Sequence, residues 1–93
     1  FFDLELEVGE GVLIPRRDTE DVCTAAFEYI QQIDSPNVLD LCAGSGAIAL
    51  AVKKYCPDST VMAIEKYPEA FEYLKRNIDK TIPMPVTVDK STF

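Results

Sequence analysis

Four residues of this 93-residue chain are spaced to do chemistry together: Asp40, Gly44, Gly46 and Glu65. Residues 38–49 read VLDLCAGSGAIA, an apolar run that passes through an aspartate into two glycines and then into a helix-forming stretch. Neither glycine carries a Cβ, so the main chain there can approach a ligand closely. A helix starting at Gly46 would aim its free N–H groups at the same place. Glu65 follows nineteen positions after Gly46, at the end of the apolar run TVMAI. A carboxylate so placed can accept both hydroxyls of a ribose lying across a glycine turn. Each feature has a plainer reading, a tight ligand-free turn and a solvated acid at a strand end. Together they point to an adenosine-containing ligand.

Two ligand classes compete for this turn. Gly44-Ser45-Gly46-Ala47-Ile48-Ala49 fits G-x-G-x-x-A, the pattern of dinucleotide sites. Asp40 argues the other way, because an acid four residues before the first glycine is unfavourable beside a pyrophosphate and favourable beside a cation. S-adenosylmethionine carries a sulfonium and an ammonium. The plain alternative for Asp40 is a carboxylate capping its own turn.

These residues need a scaffold of strands and helices. The opening FFDLELEV alternates, with Phe2, Leu4, Leu6 and Val8 on one face and acids on the other, the pattern of a half-buried strand. Gly9-Glu10-Gly11 supplies a turn, and Val12–Ile14 returns as the second strand of a hairpin that Pro15 ends. Asp18 is placed as the N-cap of a helix whose apolar face reads Val22, Ala25, Ala26, Tyr29, Ile30 and Ile33. Ser35-Pro36-Asn37 breaks it, and Val38–Leu41 forms a buried strand. A helix follows from Gly46 with Ile48, Ala51, Val52 and Tyr55 on one side, then a strand over Thr60–Ile64. The next helix carries Tyr67, Ala70, Phe71, Leu74 and Ile78, and after a proline-punctuated loop Val86-Thr87-Val88 begins a last strand. Strand, helix, strand, helix, strand is the order of a parallel sheet with crossover helices. The chain reads as a single unit, residues 1–17 giving the hairpin and the PRRDTE segment and residues 18–93 a helix plus βαβαβ.

Composition narrows the function classes. The net charge is −7, with ten acids and two bases in residues 1–52 against six acids and seven bases in residues 53–93. Such a chain is poorly suited to gripping phosphate backbones, so no direct nucleic-acid contact is expected. There is no histidine, and Cys23, Cys42 and Cys56 form no CxxC pair, so no metal site is expected and reduced thiols of a cytoplasmic protein are the default. No apolar run is long enough to span a membrane. The chain begins at Phe1 without a methionine, which suggests a piece of something longer.

With the turn in place, VLDLCAGSGAIAL resembles the first motif of the class I S-adenosylmethionine-dependent methyltransferases. GVLIPRRDTEDV resembles the LIPRPDTE signature of the release-factor (protein-glutamine) methyltransferases, and the Asp40-to-Glu65 spacing is similar too. The resemblance covers essentially all 93 residues. It implies an α/β fold: the first three parallel strands of a Rossmann-like sheet with crossover helices, preceded by a hairpin and a helix. It implies that Cys42, Ala43, Gly44, Ser45 and Gly46 cradle the methionine part of S-adenosyl-L-methionine, that Glu65 holds the ribose and that Phe93 lies against the adenine; Asp40 joins the expected cofactor site by its charge. Residues 14–20 would lie near the methyl group. The chain departs from the family at Cys42, where glycine is usual, at Arg17, where proline is usual, and at Thr92, where an acid is usual.

The family's Asn-Pro-Pro-Tyr motif, which follows the fourth core strand, is absent from these residues. An amide nitrogen is a poor nucleophile and must be held in line with the sulfonium methyl. The chain is therefore read as the cofactor-binding part of a methyltransferase acting on a glutamine amide of peptide chain release factors, with no catalytic residue of its own. The alternatives are a methyltransferase of another protein or of RNA, and a non-catalytic Rossmann-like fragment. Without a fourth strand, Val38–Leu41 would present an unpaired edge, so self-association or weak stability is expected.

Overall fold

The computed structural model describes residues 4–9, 17–41, 43–80 and 87–89. Three parallel strands form one sheet in the order β1-β2-β3: β1 at Asn37–Leu41, β2 at Thr60–Ile64 and β3 at Thr87–Asp89. Asn37 lies opposite Thr60 and Leu41 opposite Ile64, while Met62 lies opposite Thr87. The helices are α1 at Arg17–Ile30, α2 at Ala47–Tyr55 and α3 at Pro68–Asp79. The strand–helix alternation expected from the sequence is therefore present, with β2 at the expected residues.

The core forms where α2 meets the sheet. Ala49, Leu50, Ala51 and Val52 of α2 are buried with Val61 and Ala63 of β2 and Leu74 of α3. Four small or medium side chains in a row let α2 sink close to β2 on one side and to its neighbouring helices on the others. The Cys56 N–H closes α2 on the Val52 carbonyl at 2.7 Å, and Lys53 Nζ reaches over the following turn to the carbonyls of Pro57 and Ser59. The Thr60 N–H donates to the Pro36 carbonyl at 2.8 Å, so β1 and β2 start level.

Several expectations are corrected. The apolar face of α1 is Cys23, Phe27 and Ile30, with Ala26 partly buried, whereas Val22 is 58% and Tyr29 70% exposed and Ala25 and Ile33 are exposed. The Phe27 ring sets this rotation, because it stacks on Tyr55 of α2 at 5.1 Å between centroids. Helix α1 starts at Arg17, so Asp18 lies inside its first turn beside Glu20, where both favour the helix dipole, and is not the N-cap. Tyr67 stands outside α3 as its N-cap residue and is exposed.

Strand β1 is not buried on both faces. Val38 and Asp40 are half-buried toward α2, while Leu39 and Leu41 are 55% and 53% exposed on the other face, with Met62 of β2 opposite Leu39. Among the described residues β1 pairs with β2 alone.

Residues 4–9 belong to no strand, which corrects the first half of the expected hairpin; its second half, Val12–Ile14, lies outside the described residues. Their period-two pattern is expressed at Leu4 and Leu6 but not at Val8, which is 37% exposed. Leu4 and Leu6 pack on the core while Glu5 and Glu7 face out. The main chain of this segment is held by α3 instead of by a neighbouring strand.

Candidate cofactor site

The site is built on the turn from β1 into α2. The Ala43 N–H continues the sheet pairing by donating to the Ile64 carbonyl at 2.9 Å, and the Gly46 N–H closes back on the Ala43 carbonyl at 2.9 Å. Between these bonds the chain reverses, with Gly44 at φ 59° and Gly46 at φ 88°. Both values lie in the left-handed region that costs a residue with a Cβ about 1–2 kcal/mol.

The two glycines do different jobs. A Cβ on Gly46 would sit 2.7 Å from Leu74 Cδ1 and 3.7 Å from Leu50 Cδ1, so this glycine lets α2 pack against α3. A Cβ on Gly44 would meet nothing within 4 Å, so this glycine faces open space. Of the two, Gly44 leaves its main chain open to a close approach, and Gly46 does not.

Glu65, directly after β2, closes the turn from the other strand. Its Oε1 accepts the Gly44 N–H at 2.9 Å and its Oε2 accepts the Tyr67 N–H at 3.0 Å. The side chain is only 4% exposed, and both oxygens are satisfied by main-chain donors. The parallel register brings it here. Ala63 pairs with Asp40, so the residue after β2 comes level with the turn after β1.

Asp40 approaches from below. Burial pushes its carboxyl up to about 6, the Ala49 N–H in the first turn of α2 opposes that rise, and the nearby Glu65 charge adds to it. Its Oδ2 is buried without a hydrogen-bond partner among the described residues. The cap reading of Asp40 agrees with the Ala49 N–H, which lowers its pKa.

Ser45 is buried, and its carbonyl accepts a hydrogen bond of 2.7 Å from Asn77 Nδ2. Asn77 was not expected at the site. Its signal in the sequence is a polar residue three positions after Leu74 on the apolar face of α3. Ala43 is half-buried at the head of the turn. Cys42 and Phe93, both expected at the cofactor, lie outside the described residues, as do Pro15 and Arg16 of the PRRDTE segment. Among the described residues no cluster of three His, Cys, Asp or Glu side chains could hold a metal ion, and no helix is long and apolar enough to cross a membrane.

Comparison with known proteins follows the same line. A family model described as the TRM5/TYW2 methyltransferase domain matches residues 25–83. The release factor glutamine methyltransferase of Bifidobacterium longum (strain NCC 2705) is 45% identical over 80 residues, which are 84% of this chain and 27% of that protein. The precorrin-6y C5,15-methyltransferase of Geobacter metallireducens GS-15 superposes with a TM-score of 0.74 at 20% identity, over 94% of this chain and 44% of that one. The N-terminal domain of human METTL16, solved in complex with SAH, gives a TM-score of 0.69 at 18% identity, over 97% of this chain and 37% of that one. The chain thus spans about a quarter of the length of the curated relatives it matches. With the glycine turn, the glutamate after β2 and a family model covering well over half of its residues, the chain belongs to the TRM5/TYW2 methyltransferase domain family and has the Rossmann-like α/β fold of class I methyltransferases.

Proposed function

We propose that the turn at residues 43–46 binds S-adenosyl-L-methionine, as the cofactor part of an enzyme that methylates a glutamine side-chain amide of peptide chain release factors. The observation that carries this reading is the Gly44–Glu65 hydrogen bond beneath open space at Gly44. It sets a carboxylate and a Cβ-free stretch of main chain side by side at the carboxyl ends of two parallel strands, where α/β sheets take their ligands. The name of the Bifidobacterium longum relative supports the substrate, and the SAH in the METTL16 complex supports the cofactor.

The residues fit the group. Each Glu65 oxygen has accepted one N–H and keeps a lone pair for a ribose hydroxyl. The unmatched Oδ2 of Asp40 supplies negative charge for a cationic ligand and disfavours a pyrophosphate. The first N–H groups of α2, which lack intrahelical acceptors, suit the carboxylate of an amino acid. When bound, S-adenosylmethionine supplies an electrophilic methyl group on its sulfonium. What the present residues do is bind and orient. The fixed turn takes over ordering that the cofactor would otherwise have to supply, and positioning is the main source of rate in a direct displacement.

The net charge of −7 fits a protein substrate better than a phosphate backbone, and buried, unbridged Cys23 and Cys56 fit a cytoplasmic setting. Calorimetry of the intact protein with S-adenosylmethionine and with NAD, followed by radiolabelled methyl transfer to a release factor, tests the reading. Binding of NAD alone, or cofactor binding without transfer to the release factor, would overturn it.

A further inference from the structure

We propose that Asn77 is a positioning residue that couples the N-terminal segment to the glycine turn. Its amide is wholly buried, and its hydrogen bonds to described residues run in two directions. Oδ1 accepts the Glu7 N–H at 2.6 Å, and Nδ2 donates to the Glu7 carbonyl at 3.0 Å and to the Ser45 carbonyl at 2.7 Å. The pair with Glu7 copies the donor–acceptor exchange between neighbouring strands, so a side chain of α3 stands in for the strand that residues 4–9 lack. The second Nδ2 hydrogen goes to the residue between the two turn glycines.

No other residue type of similar length offers one acceptor and two donors in this arrangement. Aspartate would set a charge against two carbonyl oxygens, and leucine would leave the buried Ser45 carbonyl and the part-buried Glu7 N–H and carbonyl without this partner, which is costly.

A second point of attachment keeps the segment aligned. A Cβ on Gly9 would fall inside the Tyr73 hydroxyl, so Gly9 lies directly against that ring, and Arg76 lies over the ring at 5.2 Å. Tyr73 and Asn77 are four apart on α3, about 6 Å along the axis. Glu7 and Gly9 are two apart in extended chain, roughly 6.6 Å. The segment therefore runs antiparallel to α3 with matched spacing, held at Asn77 and at Tyr73.

Because one amide serves both sides, the free energy of ordering the turn is shared with that of ordering residues 4–9. The inference rests on the proposed cofactor site only for what occupies the turn, since the coupling is a property of the chain. A ligand that stiffens the turn should tighten the hold on Glu7, and loosening the segment should loosen the turn.

The test uses the intact protein with Asn77→Leu, Gly9→Val and the core control Val61→Ala, read by amide hydrogen exchange and by S-adenosylhomocysteine affinity. In the unsubstituted protein the ligand should slow exchange of the Glu7 amide, and Asn77→Leu should abolish that response and weaken affinity roughly tenfold, the scale of one lost hydrogen bond. Val61→Ala should lower the melting temperature and leave the affinity of the folded protein unchanged. Gly9→Val disturbs an exposed residue of the segment and leaves Asn77 in place, and it should speed exchange of the Gly44 and Gly46 amides without any ligand. Unchanged affinity in folded Asn77→Leu, or turn amides indifferent to Gly9→Val, would overturn the coupling. Failure of the unsubstituted protein to bind S-adenosylhomocysteine would count against the cofactor alone, and the ligand-free exchange of Gly9→Val would still decide the role of Asn77.

Discussion

Gly44 and Glu65, 21 positions apart in sequence, are joined by a 2.9 Å hydrogen bond from the glycine N–H to the glutamate Oε1. That bond ties the end of β2 to the turn after β1 and makes the proposed ribose-binding group part of the turn's own framework.

Glu65→Ala should therefore have two effects. It removes the acceptors of the Gly44 and Tyr67 N–H groups, costing about 1–3 kcal/mol of stability, and it weakens S-adenosylhomocysteine binding by roughly the same amount. Urea denaturation reads the first effect and calorimetry on the folded variant the second. A stability loss with intact affinity would take Glu65 out of the ligand site and leave it a purely structural residue.

The two turn glycines should separate cleanly. Gly46→Ala adds a Cβ 2.7 Å from Leu74 Cδ1 on top of left-handed strain, so it should destabilise the fold more than Gly44→Ala, which carries the strain of about 1–2 kcal/mol alone. Gly44→Ala should lose ligand affinity out of proportion to its stability, because its methyl group projects into open space. Denaturation midpoints with Gly44→Ala as the less stable variant would contradict this division.

Asp40 sets a pH dependence of unusual sign. Its carboxyl is raised from 3.8 to about 6 on folding. Between about pH 4 and 6 the folded chain keeps a proton that the unfolded chain has lost, so this group's contribution to stability falls as pH rises. The fall is on the order of 2–3 kcal/mol, complete above pH 6 and absent below pH 4. Asp40→Asn should remove that component, and the wild-type minus variant difference in unfolding free energy, measured from pH 4 to 7, should slope downward. A difference that rises with pH would show that the carboxylate is stabilised in the fold.

Leu39, Leu41 and Met62 lie together on the uncovered face of the sheet, beside the side of β1 that pairs with no described strand. The 93-residue chain on its own is accordingly expected to self-associate through this face and edge. Sedimentation at several concentrations should show mass rising with concentration, and Leu39→Lys with Leu41→Lys should return the chain toward a monomer. A monodisperse wild-type monomer through the micromolar range would refute the expectation.

How much of this was legible in the sequence follows from how local each signal is. Thr60–Ile64 is bounded by a loop and an acid and rich in β-branched residues, so the sequence shows its observed bounds. The start of α2 was read to within one residue, because two glycines one apart leave few alternatives. The rotation of α1 was not legible. Val22, Ala25 and Tyr29 recur at helical spacing as convincingly as Cys23, Phe27 and Ile30, and the choice depends on Tyr55 of α2. The partner of Asn77 was equally hidden, since nothing local tells a buried asparagine that its acceptors are 32 and 70 positions away. The glycines were legible as a turn, but their division of labour was not, because it depends on where Leu74 packs.

The Gly44–Glu65 bond also bears on how the molecule acquires its shape. The turn is formed by β1 and α2, yet it is fastened only after β2 has arrived alongside, so the site cannot exist in a chain that has folded only as far as α2. A small molecule bridging Glu65 and the turn would act on the βαβ unit as a reversible clip across a 21-residue span, opposing its reopening by an amount set by the ligand's concentration relative to its Kd. A ligand that needs both groups would then bind only once β2 has docked beside β1.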